Sequence, residues 1–427
     1  MLEAQRAAFF AELPVSPAVR RDRLRRAALM LEQNAPALAE ALVADRATRD
    51  AESAMRDEVM PGLLALDEAR QQLAGWMRAE GGRGWLGWLG LRGDSLEYQP
   101  VGVVGIVAPA VLPLARTAQL LAGALAAGNR VLLRLDAASP HLAELLPALA
   151  PRYFDPRELA MRADGAGGAG VDLLVSGAPA AVEAGAGPAR AGKSVVILGR
   201  SAKFPRAAAD VVAAKRFEGG RAPLAPDYML VPAEQEEAVA AWLWRAAMQA
   251  GGEGAPPLPA ETCDRLAALL EDARARGGEV MTAEPRGAGM PLHIVRHATP
   301  DMRVMREEIA GPILPLANYA RIEDAIALTH RLPPAPALYY LGRDPVERRR
   351  VAQGTLSSLL AADGQMLAVA RGSLAAPDLP PPASEAEAGF RRFSRVRRIC
   401  RRSWPGLGSA PARAAEEGLG GAEPALR

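Results

Sequence analysis

Residues Val101–Val107 read VGVVGIV, an apolar run with no polar alternation. Such a strand has both faces covered, so the chain around it must supply helices above and below a sheet. The flanking sequence does so. A helix is expected over Ala115–Ala127, ending at Gly128-Asn129, a helix C-terminal signal. Val131–Leu135 follows as a strand, and Ser139-Pro140 opens another helix as N-cap and first-turn proline. Asp172–Ser176 and Ser194–Leu198 continue the strand series. Strand and helix in repeated order define an α/β chain with a parallel, doubly wound sheet.

At 427 residues the chain is long enough for two such units with smaller appendages. Residues 1–80 are helix-rich, with Leu24, Ala27, Ala28, Leu31, Leu38 and Leu42 at helical spacing and a break near Pro36. Trp85 and Trp88 lie in a glycine cluster, Gly81–Gly93, read as a loop packed on the body, with a partner patch as the alternative. A second unit begins near Gly199, with helices over Glu234–Ala250, Glu261–Arg276 and Ile322–Leu332 and a strand over Ala337–Gly342. The net charge of +2 calls for no nucleic-acid partner. Cys263 and Cys400 are too few for a disulfide framework, which fits a reducing, cytoplasmic setting. No apolar run is long enough to span a bilayer and the N-terminus has no signal-peptide layout, so neither export nor a membrane span is expected.

The segment Glu218–Pro232, EGGRAPLAPDYMLVP, is built like a loop that presents a reactive side chain. Gly219-Gly220 free the backbone, Pro223 and Pro226 fix it, and the strand Tyr228–Val231 follows. Yet it contains no Cys, Ser, Thr or His, and its best-placed position is Pro223.

Other candidates are weaker. Gly102 and Gly105 do not complete G-x-G-x-x-G. Arg134, at the end of the second strand, suits either a ribose or phosphate contact or an exposed structural role. Cys263 near a helix start has no base beside it in sequence, and Cys400 lies in a terminal basic segment; both read as structural. His141, His293, His297 and His330 form no metal pattern, since His293 and His297 in a strand stand ~13 Å apart. Glu307-Glu308 before Gly311-Pro312 suits ribose hydroxyls or a solvated turn equally. Arg391–Arg402 holds seven arginines and reads as a solvated face, with an anionic surface as the alternative.

Taken together, the chain resembles the aldehyde dehydrogenase superfamily, most of all its coniferyl-aldehyde dehydrogenase branch. The similarity rests on Tyr98–Ile106, Leu125–Val131, Ala225-Pro226-Asp227-Tyr228, Asp301–Ile309 with Gly311-Pro312, and Ala337–Tyr340. It extends from about Gln5 to about Arg395. The resemblance implies two Rossmann-like domains plus an oligomerisation strand region. The expected division is 1–198 for the N-terminal helices and dinucleotide-binding-like domain, with a hairpin near 94–100. A catalytic-type domain would span 199–370, an altered segment returning to the first domain 371–404, and a disordered tail 405–427.

The family's chemistry is covalent: a thiolate attacks an aldehyde, an oxyanion hole holds the intermediate, hydride passes to NAD(P), and a glutamate activates water. The resemblance places Pro223 at the thiol position, Ile197 at the glutamate and Val111 at the oxyanion-hole asparagine. Arg134, Gly177 and Glu308 retain cofactor positions, whereas Ala178, Val182 and Ala310 depart from the pattern. The expectation is a catalytically inactive relative in which NAD or NADP binding is weak or lost. It would act in a homo-oligomer, or in a hetero-oligomer with a related active subunit, through the Ser95–Gln99 region and the segment after Gly354. The alternative is an NAD(P)-dependent aldehyde dehydrogenase with a relocated nucleophile, Cys263 first.

Overall fold

A computed structural model describes residues 1–45, 50–78, 80–81, 95–162, 170–176, 192–250, 260–284, 291–362, 366–371 and 382–400. Expectations that fall elsewhere, including the Trp85–Trp88 loop, Gly177, Ala178, Val182, the proline run before 382 and the tail, lie outside the described residues.

Helices lead the chain: α1 (Leu2–Glu12), α2 (Pro17–Gln33), α3 (Ala35–Asp45), α4 (Ala51–Ala54) and α5 (Met60–Trp76), the last two joined by a π-helical turn, Met55–Val59. Ser16 caps α2 by accepting from the Val19 N–H at 3.2 Å, and Pro17 occupies its first turn. Asp50 and Ser53 form a reciprocal capping box on α4.

Among the described residues, fourteen strands follow in two sheets. They are β1 (Glu80–Gly81), β2 (Ser95–Pro100), β3 (Val103–Val107), β4 (Arg130–Arg134), β5 (Leu159–Arg162), β6 (Leu173–Ser176) and β7 (Val195–Leu198). Then come β8 (Tyr228–Pro232), β9 (Glu279–Ala283), β10 (Leu292–Arg296), β11 (Ile313–Tyr319), β12 (Ala335–Leu341), β13 (Ser357–Ala362) and β14 (Ser394–Cys400). Between them lie α6 (Pro113–Ala126), α7 (Pro140–Leu149), α8 (Phe204–Arg216), α9 (Glu236–Gln249), α10 (Ala260–Ala275), α11 (Arg303–Arg306), α12 (Ile322–Thr329), α13 (Pro345–Gly354), α14 (Met366–Arg371) and α15 (Glu385–Arg392).

The smaller sheet is parallel, in the order β5-β4-β3-β6. Its first strand starts at Val103, two residues after the apolar run begins. Gly102 is held at φ +140° by Asp172, whose Oδ2 accepts from the Val103 N–H at 2.7 Å and fills the space a side chain would need. One apolar core unites this sheet with α2, α5, α6 and α7. The backbones of α6 and α15 meet there at Gly123 and Gly389, where any side chain on Gly123 would strike the facing backbone.

The larger sheet runs β1-β2-β14-β13-β12-β7-β8-β11-β10-β9, parallel from β14 to β10 and antiparallel at both ends. Its strands alternate side chains between two cores: Val196 and Leu198 pack with α8 and α9, Val195 and Ile197 with α10 and α11. Thus an α/β fold with two largely parallel sheets is what the chain builds.

Two expectations need correction. Residues 195–198 were assigned to the first unit, but β7 pairs with β8 and β12 in the middle of the larger sheet. The long strand series along the chain hides the point at which it changes sheets. The basic segment is not a solvated face either. Phe390 and Phe393 are fully buried, and β14 is an interior strand between β2 and β13. Arg397 is 1% exposed; its guanidinium donates to the Thr355 carbonyl at 3.1 Å and to Glu97 Oε2 at 3.0 Å, and also meets the Ala352 carbonyl. Burial therefore comes with partners for each nitrogen edge. Among the described residues no helix is long and apolar enough to cross a membrane.

Candidate functional site

The smaller sheet has its topological switch between β3 and β6, where chain order reverses. Ligands of open α/β sheets sit outside the carboxyl ends of strands at such a point. Val107, Arg134, Arg162 and Ser176 are in register at those ends. Arg134 is half-buried, and its guanidinium has no hydrogen bond or ion pair among the described residues. Among the described residues it is thus a cation without a partner at the carboxyl end of β4. Gly177, the next residue after β6, lies outside the described residues.

The turn after β3 carries Val111, which is 61% exposed, and Leu112, held at φ +51° as the N-cap of α6. The N-terminus of α6 is already satisfied. Buried Glu58, from the π-helical turn, accepts from the Leu114 and Ala115 N–H groups at 3.0 and 3.1 Å. A carboxylate supplied by the chain thus occupies the place where an anion would otherwise bind the helix dipole. Nothing in the local sequence around Glu58 marks it for this contact, because the two partners lie 56 and 57 residues away.

In the larger unit, α8 ends in a turn in which Glu218, Gly219 and Gly220 take φ values of +52°, +66° and +79°. Gly220 must be glycine: a side chain there would collide with the Gly311 carbonyl. This contact brings the Glu307–Pro312 string against the proline loop. The loop then closes a turn from Ala222 to Ala225 at 2.9 Å, with Pro223 exposed at its tip. Asp227 locks the exit. Its N–H donates to the Ser194 carbonyl at 2.8 Å, and its Oδ2 accepts from the Ser194 N–H at 2.9 Å. Tyr339 Oη donates to the Leu224 carbonyl at 2.6 Å; burial pushes its phenol well above the usual range, so it stays a donor.

Ile197 is not beside Pro223. It is fully buried with Tyr228, Leu230, Leu338 and Tyr340, on the sheet face opposite Leu224 and Tyr339. Glu308 is exposed. Its carbonyl and that of Ile309 accept from Arg265 at 2.8 and 2.7 Å, so the main chain here is clamped and the carboxylate faces outward. Glu307 pairs with Arg303 at 2.7 Å. Cys263 is exposed on α10, whereas Cys400 is buried at the end of β14. Cys400 pairs with Ala361 and Ala361 with Tyr339, which aligns it with the face that packs on the loop.

The histidines are dispersed. His293 contacts Thr282 at 3.1 Å, His297 lies 2.8 Å from Glu236, and His330 stacks on Phe10 at 4.3 Å. No group of three or more His, Cys, Asp or Glu residues able to hold a metal occurs among the described residues.

Two lysines at the loop were missed. Lys193 is buried; its Nζ donates to the Val304 and Glu307 carbonyls at 2.6 and 2.7 Å. Lys215, at the end of α8, is fully buried with no hydrogen-bond partner for Nζ. Burial lowers each to about 8, against the opposing pull of Asp227. A signal was available: of 51 Lys and Arg residues only Lys193, Lys203 and Lys215 are lysines.

The profile of the Aldehyde dehydrogenase family matches residues 1–160 and 189–355. The coniferyl aldehyde dehydrogenase of Pseudomonas sp. is 31% identical over 402 residues, covering 86% of this chain and 82% of that protein. The probable coniferyl aldehyde dehydrogenase of Caulobacter vibrioides is 30% identical over 440 residues, covering 92% of this chain and 89% of that protein. The 4,4'-diaponeurosporen-aldehyde dehydrogenase of Staphylococcus aureus is 25% identical over 365 residues, covering 78% of this chain and 77% of that protein. With a family match over well more than half its length, on an α/β frame whose glycine-proline loop leads into a central parallel strand, this chain belongs to the aldehyde dehydrogenase family.

Proposed function

We propose that this family member does not oxidise aldehydes by thiol chemistry and serves in an assembly, with cofactor affinity reduced. The observation that supports this best is the loop itself. Asp227, Ser194 and Tyr339 hold its frame, yet its tip presents the ring of Pro223. A proline cannot form a thiohemiacetal. Ile197 offers no carboxylate to activate water, and its side chain is sealed in an apolar core. Val111 has no amide to donate to an oxyanion.

For the cofactor, Arg134 and Glu308 are the residues that would meet a ribose or phosphate. A bound NAD or NADP would supply the hydride acceptor, while Arg134 would hold a phosphate or ribose oxygen. The exposed carboxylate of Glu308 fits ribose hydroxyls. Glu58 at the head of α6 works against a phosphate there. Titration of the protein with NAD and NADP, followed by tryptophan fluorescence, measures what affinity is left.

Assembly is proposed through strand edges. β13 is paired on both sides, by β12 and β14, and so offers no edge. β2 pairs with β14 along Ser95–Pro100, but its other side meets only Glu80 and Gly81, leaving Glu97–Pro100 open among the described residues. An open edge of this kind accepts a strand from another chain. Light scattering of the wild type and of a Tyr98→Pro variant tests it. The variant would shift to monomer if this edge carries the contact.

A second reading keeps NAD(P)-dependent aldehyde oxidation, the activity named for the relatives, with a thiol placed elsewhere. One observation favours it: Cys400 lies on the sheet face that packs against the loop. Aldehyde-dependent NADH formation that disappears in Cys400→Ser would establish this reading in place of the first.

A further inference from the structure

The second half of α5 faces the start of α15 across an open cavity of about 470 Å³, which shares no residue with the sheet crevice or the proline loop. That volume is within the range of small-molecule sites. From α5, Glu68, Gln72 and Trp76 line it at i, i+4 and i+8, a single stripe that runs about 12 Å along the helix axis. The facing wall is fixed. Ser384 caps α15 by accepting from the Glu387 N–H at 3.2 Å. Glu387 is itself engaged, by Arg391 at 2.5 Å and by the Ala383 N–H at 2.9 Å. Trp76 is held in place too: its half-buried ring packs on fully buried Phe390, with centroids 5.6 Å apart.

The polar groups on the α5 side are unused. Among the described residues, the Glu68 carboxylate, the Gln72 amide, the Arg78 guanidinium and the Trp76 indole N–H have no hydrogen-bond or ion-pair partner. Glu68 and Arg78 carry opposite charges on the wall of one cavity, yet they do not pair with each other. Gly75, also on this wall, lies in the last turn of α5, where glycine costs helix stability. Neither backbone nor packing asks for it: its φ is not positive, and a β-carbon there would meet nothing within 4 Å. What the glycine leaves is room beside the indole.

We propose that this cavity binds a small zwitterion, a molecule with an ammonium group at one end, a carboxylate at the other and an apolar stem between. The ammonium donates to Glu68 and to the Gln72 amide oxygen, and the carboxylate accepts from Arg78. The stem covers the Trp76 ring in the space left by Gly75. The charge balance of the cavity fits such a ligand. Glu387 is already balanced by Arg391, which leaves one negative and one positive group unanswered. A molecule with a single charge would satisfy Glu68 or Arg78 but not both. Binding here is noncovalent and stands whether or not the chain oxidises aldehydes.

The test is a saturation-transfer NMR titration of the full chain at low ionic strength with 6-aminohexanoate, hexylamine and hexanoate as probes. Exposed ion pairs are weak, so 6-aminohexanoate should bind with a Kd on the order of 1 mM, at least ~10-fold tighter than either single-charge probe. Glu68→Gln and Arg78→Gln should each cut that affinity ~10-fold, down to the level of the single-charge probes. Gly75→Phe, which fills the cavity, should abolish binding. Thermal melts should leave the two charge variants at the wild-type midpoint and Gly75→Phe at or above it, because Glu68 and Arg78 hold no partner and phenylalanine suits a helix better than glycine. Absence of transfer to 6-aminohexanoate at ~20 mM would overturn the proposal. So would hexylamine or hexanoate binding as tightly as the zwitterion. Binding of 6-aminohexanoate that survives all three substitutions would overturn it as well, since the molecule would then sit elsewhere.

Discussion

Tyr339 donates its buried hydroxyl to the carbonyl of Leu224, 115 residues earlier, at 2.6 Å, and so ties a central strand to the residue after Pro223. The loop is therefore held from below. Tyr339→Phe leaves the Leu224 carbonyl unsatisfied and should cost about 1 kcal/mol of stability. Limited proteolysis should then cut within 217–227 in the variant before it cuts the wild type. Identical cleavage patterns would show that the tie does not hold the loop.

Pro223 is exposed at the tip of that frame. Pro223→Cys should give a thiol that reacts readily with iodoacetamide, without sustained NADH production from aldehyde and NAD, because no carboxylate stands ready to activate water. Steady turnover by this single variant would mean that the hydrolytic role is filled by a group other than one at Ile197.

Ile197 cannot be repaired in the same way. Its side chain is sealed between Tyr228, Leu230, Leu338 and Tyr340. Ile197→Glu buries a carboxyl among these groups and should cost about 3 kcal/mol or more. A thermal melt reads the loss directly, and an unchanged melting temperature would show that the core opens to water at this point.

The two buried lysines set a pH dependence. Each is lowered from 10.5 to about 8 by burial. Below pH 8 both the folded and unfolded chains are protonated, and the full cost of burying the ammonium is present. Between pH 8 and 10.5 the unfolded chain binds more protons, so stability rises with pH by up to about 1.4 kcal/mol per unit for each lysine. Lys215→Met should be more stable than wild type at pH 7 and lose half of this slope. Urea melts at several pH values measure both. A wild type whose stability is flat from pH 8 to 10.5, relative to the variant, contradicts the shift.

Arg397 tests the reassigned basic segment. Its guanidinium serves Glu97 and the carbonyls of Thr355 and Ala352 from inside the sheet. Arg397→Met should cost about 2–4 kcal/mol. A loss of heparin retention with unchanged stability would instead support the surface reading.

How much of this was legible in the sequence depends on where each residue's partners lie. The strand at Val103–Val107 and the turn at Gly219-Gly220 were readable because continuous apolarity and paired glycines are local signals. The burial of β14 was not, because seven arginines read as solvent-facing until Glu97, 300 residues away, is brought to Arg397. β7 has the composition of any buried strand, so its sequence does not say which sheet receives it. Lys215 sits at a helical spacing that marks the inward face of α8, but periodicity shows direction and not depth. The separation of Pro223 from Ile197 emerges only from alternation across a sheet whose order is not written in any one strand.

The most direct measurement is NADH formation by the purified full-length chain, given benzaldehyde or coniferyl aldehyde with NAD and with NADP. A protein whose loop offers proline in place of a thiol should give no rate above a protein-free blank with either cofactor. Sustained, protein-dependent NADH or NADPH production would contradict the account.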